Sequence, residues 1–259
     1  YRVPITEPVQ YPERDLPIDP YSFGVWLGDG ASNSILITCD DKDIDEMERL
    51  LTAEGHTCKQ THPPHRSSGI SIDVTPRGQA NRFRDALKAM GVFQNKHVPD
   101  IYMIASIDQR IALLQGLMDT DGTCSKAGEC EFVQTNSQIA HSVFELASSL
   151  GMRASMKEKM AKCNGKDAGV VYRVTIWADQ SMPIFRLARK RARLKQTLSE
   201  RMHSKSVTCI ERIQEEPSKC IAVDDPRHLY LAGRGYVATH NTILIAALTI
   251  VDRTRAVGP

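Results

Sequence analysis

Apolar positions along the chain change period several times, and each change marks an element. Tyr21, Phe23, Val25, Trp26 and Leu27 crowd into a short apolar helix that Gly28, Asp29 and Gly30 close. Residues 35–39 then read as a strand, residues 43–55 as a helix, residues 69–74 as an alternating strand and residues 79–91 as a helix. The succession restarts at residue 108. Residues 108–122 form a second apolar helix ending in Asp121 and Gly122, followed by a strand at 131–135, a helix at 138–151, an alternating strand at 170–177 and a helix at 181–198. The spacing is also repeated: Thr38 to Gly55 is 17 residues and Thr135 to Gly151 is 16. Two copies of one α+β unit, each with an antiparallel sheet, predict a pseudo-symmetric monomeric domain over residues 21–205, with halves at about 21–107 and 108–205.

The flanks have other textures. Residues 1–20 carry Pro4, Pro8, Pro12, Pro17 and Pro20, and the chain opens on Tyr1, which reads as an extended linker cut from something longer. Residues 207–213, 219–225, 228–233 and 235–240 are short strands separated by turn residues, predicting a small all-β piece over 206–241. Residues 242–259 turn aliphatic and helix-like and fit neither domain.

Composition narrows the class. The 259 residues are 25% charged and 41% hydrophobic, long enough for one large or two modest globular domains. Seven cysteines without a CxxC pair argue for a reducing compartment and against structural zinc. No apolar run reaches the ~18–20 residues needed to span a bilayer, so the expectation is a cytoplasmic protein with no membrane partner. The formal charge of +2 hides a segregation: residues 153–205 carry a net of +10 and residues 40–54 a net of −5. A basic block of that size is an electrostatic footprint for double-stranded DNA, with Arg173, Arg186, Arg189, Lys190, Arg191 and Arg193 as candidate contacts. Ser71, Asp73, Arg173 and Thr175, on alternating strands, are candidates to reach base edges.

The repeated helices carry the candidate chemistry. Gly24 and Gly28 in the first, and Gly116 and Thr120 in the second, sit four apart on one helix face, so the two helices can cross with their backbones nearly touching. Asp29 and Asp121 then meet at the foot of the crossing. Two such carboxylates repel unless a divalent cation lies between them, a pattern that suits Mg²⁺ and phosphodiester hydrolysis.

Phe23-Gly-Val-Trp-Leu-Gly-Asp29-Gly30 and Leu114-Gln-Gly-Leu-Met-Asp-Thr-Asp121-Gly122 resemble the two signature helices of a LAGLIDADG homing endonuclease, over about residues 21–200. The resemblance implies two αββαββα units whose antiparallel saddle sheets straddle DNA, Asp29 and Asp121 as metal ligands and catalytic carboxylates, and a staggered double-strand cut. Residues 95–99 (NKHVP) resemble a motif of intein-borne members, which maps a catalytic lysine onto Lys96. Lys157, Lys159 and Lys162 are the candidates for the second half. Ser22 and Leu27 depart from the signature, where Leu and Asp are usual, and this motivates the alternative of a nucleic-acid-binding module without cleavage, maturase-like or a decayed endonuclease.

Residues 220–241 resemble the last two segments of an intein, ending in His240, Asn241 and Thr242. The resemblance implies the carboxy-terminal part of a Hint splicing domain. In it the Asn241 amide attacks its own carbonyl, His240 assists the leaving amine, and Thr242 is the host nucleophile. His228 assists cyclisation or orients the site, and Asp224 matches an upstream acid. An amino-terminal splicing segment, in cis or trans, is the implied partner. Residues 242–259 resemble the helix after a phosphate-binding loop, as in a phage terminase large subunit or another P-loop ATPase, and are expected to be extein.

Overall fold

The computed structural model describes residues 2–64, 67–76, 79–163, 166–212 and 221–240. A short strand β1 (Arg2–Pro4) precedes a first unit of α1 (Pro20–Asp29), β2 (Leu36–Thr38), α2 (Ile44–Ala53), β3 (Cys58–Thr61), β4 (Gly69–Ile72) and α3 (Arg82–Ala89). One turn of helix, α4 (Asp100–Met103), leads into the second. It comprises α5 (Ile107–Thr120), β5 (Gly122–Cys124), β6 (Cys130–Gln134), α6 (Ser137–Ser149), β7 (Arg153–Cys163), β8 (Lys166–Trp177) and α7 (Ala188–Arg191). Strand β9 (Ser204–Ser206) and a hairpin of β10 (Leu229–Ala232) and β11 (Val237–His240) follow.

Both units fold into antiparallel sheets of matching order. The second is β5-β6-β8-β7 and the first β2-β4-β3. A single bridge between Gly30 and Ile37 stands in the first sheet where β5 pairs with β6 in the second. The two sheets are therefore versions of one plan, with the first trimmed at its edge. Side chains alternate as the pleat requires. Ile70, Ile72, Val174 and Ile176 enter the core, while Ser71, Arg173 and Thr175 lie on the other face.

α1 and α5 cross at the centre of the core. Residues 21–27 of α1 are all buried, as are Ala112, Leu113, Leu114, Gly116, Leu117, Met118 and Asp119 of α5, which is why neither helix shows a polar face in the sequence. Glycines set the approach. A Cβ on Gly24 would collide with the Leu113 carbonyl oxygen and lie 3.1 Å from the Gly116 Cα. One on Gly116 would collide with the Tyr21 carbonyl oxygen and lie 2.7 Å from the Val25 nitrogen. Lower down, Gly28 leaves room only for Thr120.

Both helices are started by their own sequence. The Asp19 carboxylate accepts from the Ser22 amide at 2.8 Å with Pro20 in the first turn, and Ser106 forms a capping box with Gln109. Asp19 is also one arm of a bridge: His56 contacts Asp19 at 2.7 Å and Asp73 at 3.1 Å, tying the start of α1 to the end of β4.

Several expectations are corrected. Residues 181–198 are not one helix, and only α7 is helical there. Ile184, Phe185 and Leu187 are all buried, and the Arg186 and Leu187 amides bond the Asp119 carboxylate at 3.0–3.2 Å, so tertiary contacts override the helical pattern. Residues 2–20 are extended as the prolines require, but they are docked. β1 pairs with β9, the Val9 amide bonds Ser149, and the fully buried Arg110 reaches the Val9 carbonyl. The strands anticipated at 207–213 and 219–225 are absent over 207–212 and 221–225, and among the described residues from 207 to 240 the hairpin alone carries β structure; residues 213–220 lie outside the described residues. Among the described residues no helix is long and apolar enough to cross a membrane.

Two outcomes follow for stability. Gly24→Ala drives a methyl group into the Leu113 carbonyl and is expected to cost about 1–3 kcal/mol, read as a lowered midpoint of thermal unfolding. Burial by itself lowers the His56 pKa, yet bonding and charge pairing with Asp19 and Asp73 outweigh it and hold the imidazole above its ordinary 6.5. A raised folded-state value means that this stabilisation is complete below about pH 6.5 and is lost as pH rises through the folded value. The deficit of His56→Gln in urea unfolding should therefore be about 1–3 kcal/mol near pH 6 and shrink steadily toward pH 9. A deficit independent of pH would exclude a charged bridge.

Candidate functional site

Asp29 ends α1 and Asp121 follows α5, so the crossing delivers both carboxylates to one end of the helix pair. A Cβ on Gly28 would lie 3.5 Å from Asp121 Oδ2, which places that carboxylate against the foot of α1. Burial raises the pKa of Asp121 first and the charge of Asp29 adds to it, to about 6, against the opposing pull of Lys96, Lys190 and a 2.8 Å bond from Gln134. Asp29 is raised by burial against Lys190 and Lys96. The carboxylates thus sit close enough to interact and are poorly hydrated.

Neither helix has a basic residue in its last turn, so the final carbonyls need donors from elsewhere. Lysines from distant loops supply them. Lys96 Nζ donates to the carbonyls of Leu27, Gly28 and Gly30 at 3.0, 3.1 and 2.5 Å. Lys190 Nζ donates to those of Met118, Asp119, Thr120 and Gly122 at 3.1, 2.7, 3.2 and 2.6 Å. The two constellations are counterparts, one at the end of each helix, and both lysines act on the carboxylates, Lys190 more strongly on Asp29 and Lys96 more strongly on Asp121. Burial lowers both ammonium groups to about 8, against the attraction of the aspartates.

Lys190 is thus the second-half partner of Lys96. Lys157, Lys159 and Lys162 instead lie along β7, the first two exposed. The signal that could have found Lys190 is its position after the last strand of its unit, as Lys96 follows the last strand of the first. The helical reading of 181–198 concealed it.

The basic run 186–193 is consequently not one DNA-facing strip. Lys190 is buried; Arg189 forms a two-pronged ion pair with Asp43; Arg186 pairs with Glu54, bonds Gln115 at 2.7 Å and lies over the Tyr21 ring. The acidic stretch 40–54 is therefore spent in part on its basic counterpart. Arg191 and Arg193 remain exposed, Arg193 with one bond to the Cys124 carbonyl, and Arg173 pairs with Glu131 on the outer sheet face at 3.2 Å. Asp73, anticipated as a base reader, instead serves His56 and the Thr57 amide.

Among the described residues no group of three His, Cys, Asp or Glu side chains could hold a metal ion. A cation at the crossing would have Asp29 and Asp121 as its side-chain carboxylates and take its remaining oxygens from water or a phosphate. Magnesium is commonly held in this way.

At the carboxy-terminal end, β10 and β11 pair with Leu229 opposite His240, and the His228 and His240 rings lie 6.1 Å apart. His228 and Asp224 are exposed. Asn241, Thr242 and the stretch through 259 lie outside the described residues.

Residues 97–191 match a family model described as homing endonuclease, a stretch that includes α5, Asp121 and Lys190. A replicative DNA helicase DnaB of Mycobacterium intracellulare is 31% identical over 236 residues, covering 90% of this chain and 36% of that protein. Another DnaB, from Mycobacterium leprae (strain TN), is 51% identical over 41 residues, 15% of this chain and 7% of its own length. The chain spans about a third of the first relative and far less of the second. Two similar solved structures are mesophilic variants of the homing endonuclease I-DmoI, at TM-score 0.42 and 14% identity over 62% of this chain and 88% of that one, and I-DmoI in complex with DNA and Ca, at TM-score 0.40 and 13% identity over 62% and 82%. By its matching stretch, this chain contains a region similar to homing endonucleases.

Proposed function

We propose that the chain is the endonuclease-bearing carboxy-terminal part of an intein: a Mg²⁺-dependent, site-specific double-strand DNA endonuclease joined to a protein-splicing junction. The observation that carries the endonuclease reading is the pair of half-buried carboxylates, Asp29 and Asp121, at a helix crossing to which separate loops deliver two lysines. Mg²⁺ held between them would polarise a phosphate and lower the pKa of an attacking water. The protein's own groups do the rest. Gln134 fixes Asp121, and Lys96 and Lys190 set positive charge beside each carboxylate where a phosphate would gain negative charge. Arg173 and Thr175 on the second sheet and Ser71 on the first occupy the faces turned away from the core, suited to contact DNA.

The departure at Leu27 does not favour the binding-only alternative. Asp119, the counterpart of Leu27, accepts bonds from the Tyr21 hydroxyl at 2.9 Å and from two backbone amides of the loop carrying Lys190. That role anchors a loop. Leucine at position 27 therefore costs an anchor and no metal ligand.

For the junction, Asn241 would cyclise and break the bond to Thr242, with His240 and His228 assisting, once an amino-terminal splicing segment is supplied in cis or in trans. The DnaB relatives support a replicative helicase as the host, which favours the alternative of another P-loop ATPase over a terminase for residues 242–259.

With DNA carrying the uninterrupted helicase gene, cleavage is expected to require Mg²⁺, to stop with a chelator, and to fall about 10²–10³-fold in Asp29→Asn and in Asp121→Asn. Activity surviving both substitutions overturns the assignment, and binding without cutting favours the maturase-like alternative. Asn241→Ala is expected to abolish release of residues 242–259 by mass spectrometry. Unchanged release would end the cyclisation reading.

A further inference from the structure

The two lysine loops are each fastened to the opposite half of the molecule, at matching positions. Asn136 caps α6 of the second half, its Oδ1 accepting from the Gln138 and Ile139 amides, while its Nδ2 donates at 2.9 Å to the carbonyl of Lys96 in the first half. Asp43 occupies the same place at the start of α2 in the first half. Its carboxylate makes no cap bond and instead receives the Arg189 guanidinium, next to Lys190 in the second half. Glu46, in the first turn of α2, accepts from the Ala188 amide at 3.2 Å with both oxygens. Asp43 is only 5% exposed, so water competes little for the pair.

The geometry points to Asn136 and Asp43 as reciprocal positioning residues: each half fastens the loop that carries the other half's lysine, so that the two strands are cut in step. This rests on the endonuclease reading above. The physical reason is the cost of letting a lysine drift. Its ammonium is held by three or four carbonyls at a helix end, and freeing the loop at the lysine itself or one residue before it lets that cluster open. Misplacement of a catalytic group by about 1 Å can lower a rate by about a hundredfold. The loss falls on one half only, because the other lysine keeps its own fastening.

Asp43→Asn and Asn136→Ser test this with little risk to folding, since the first is isosteric and the second keeps an N-cap acceptor while losing reach to the Lys96 carbonyl. Each strand of the uninterrupted helicase-gene duplex is labelled separately and the two cutting rates compared on the full chain. The ratio of rates is expected to shift by about tenfold or more, in opposite directions for the two variants, with nicked DNA accumulating in both. A ratio that stays at the wild-type value, or shifts the same way in both, overturns the inference, because loss of stability slows both strands together. A second measurement is independent of cleavage. Acetylation of Lys190 by acetic anhydride, quantified by mass spectrometry, should rise several-fold in Asp43→Asn and in Arg189→Ala, and an unchanged extent overturns the fastening itself. If the wild-type chain fails to cut, the endonuclease reading falls while the acetylation result still decides whether Asp43 holds the lysine loop.

Discussion

The contact between Gly24 of α1 and Gly116 of α5 is the constraint on which the rest of the molecule depends. Each glycine faces backbone of the partner helix, leaving no room for even a methyl group at either position. Helices this close cannot slide or rotate freely, so the ends that carry Asp29 and Asp121 are fixed relative to one another. The same closeness half-buries the carboxylates, which raises their pKa values and makes the site hungry for positive charge. A looser crossing with larger residues would separate the two acids and let each be hydrated alone.

That hunger is met in two ways. A bound divalent ion would meet it at the carboxylates, and the lysines already meet it at the helix ends. Lys96 and Lys190 replace the basic residues that an isolated helix would carry in its last turn, and because they arrive from other parts of the chain they also pin loops to the core. The basic surplus of residues 153–205 is thus divided between duties. Lys190, Arg189 and Arg186 hold the structure together, against the carbonyls of α5 and the acids of α2, whereas Arg191, Arg193, Lys157 and Lys159 stay exposed and available to a polyanion. Net charge alone could not distinguish the two groups.

What could be read in the sequence follows from how local each feature is. The glycine spacing, the terminal aspartates and the alternating strands are encoded within a few residues, and the repeat doubles every such signal, so the two-unit plan and the pair Asp29 and Asp121 were legible. Lys96 stood out through the motif around it, and its ammonium lies at the end of α1. Lys190 was visible as a basic residue but not in its role, because its partners are carbonyls some 70 positions away and carry no mark in the sequence. The loop over 181–198 was misread for a related reason. Two of its amides are held by Asp119 and Ile184, Phe185, Leu187 and Leu194 are buried, so a pattern that looks helical in isolation answers to tertiary contacts. The docking of residues 2–20 through Arg110 belongs to the same class of long-range feature.

The two halves are unequal, and the inequality has a direction. The second half has the four-stranded sheet, the edge strand β5 beneath Asp121, and Asp119 gripping the loop that carries Lys190. The first half has a single bridge at Gly30 in place of that edge strand, and Leu27 in place of Asp119. Its lysine loop lacks the carboxylate anchor, so more of the work of holding it passes to the opposite half, through Asn136. In the reverse sense the first half contributes Asp43, Glu46 and Glu54, three acids that grip residues 186–189 of the second. A half on its own would lack both the partner helix of the crossing and the clamp on its lysine. The two units therefore complete one another across the pseudo-symmetry axis, and the anchor that Leu27 does not provide in the first copy is offset by contacts that only the second copy can make.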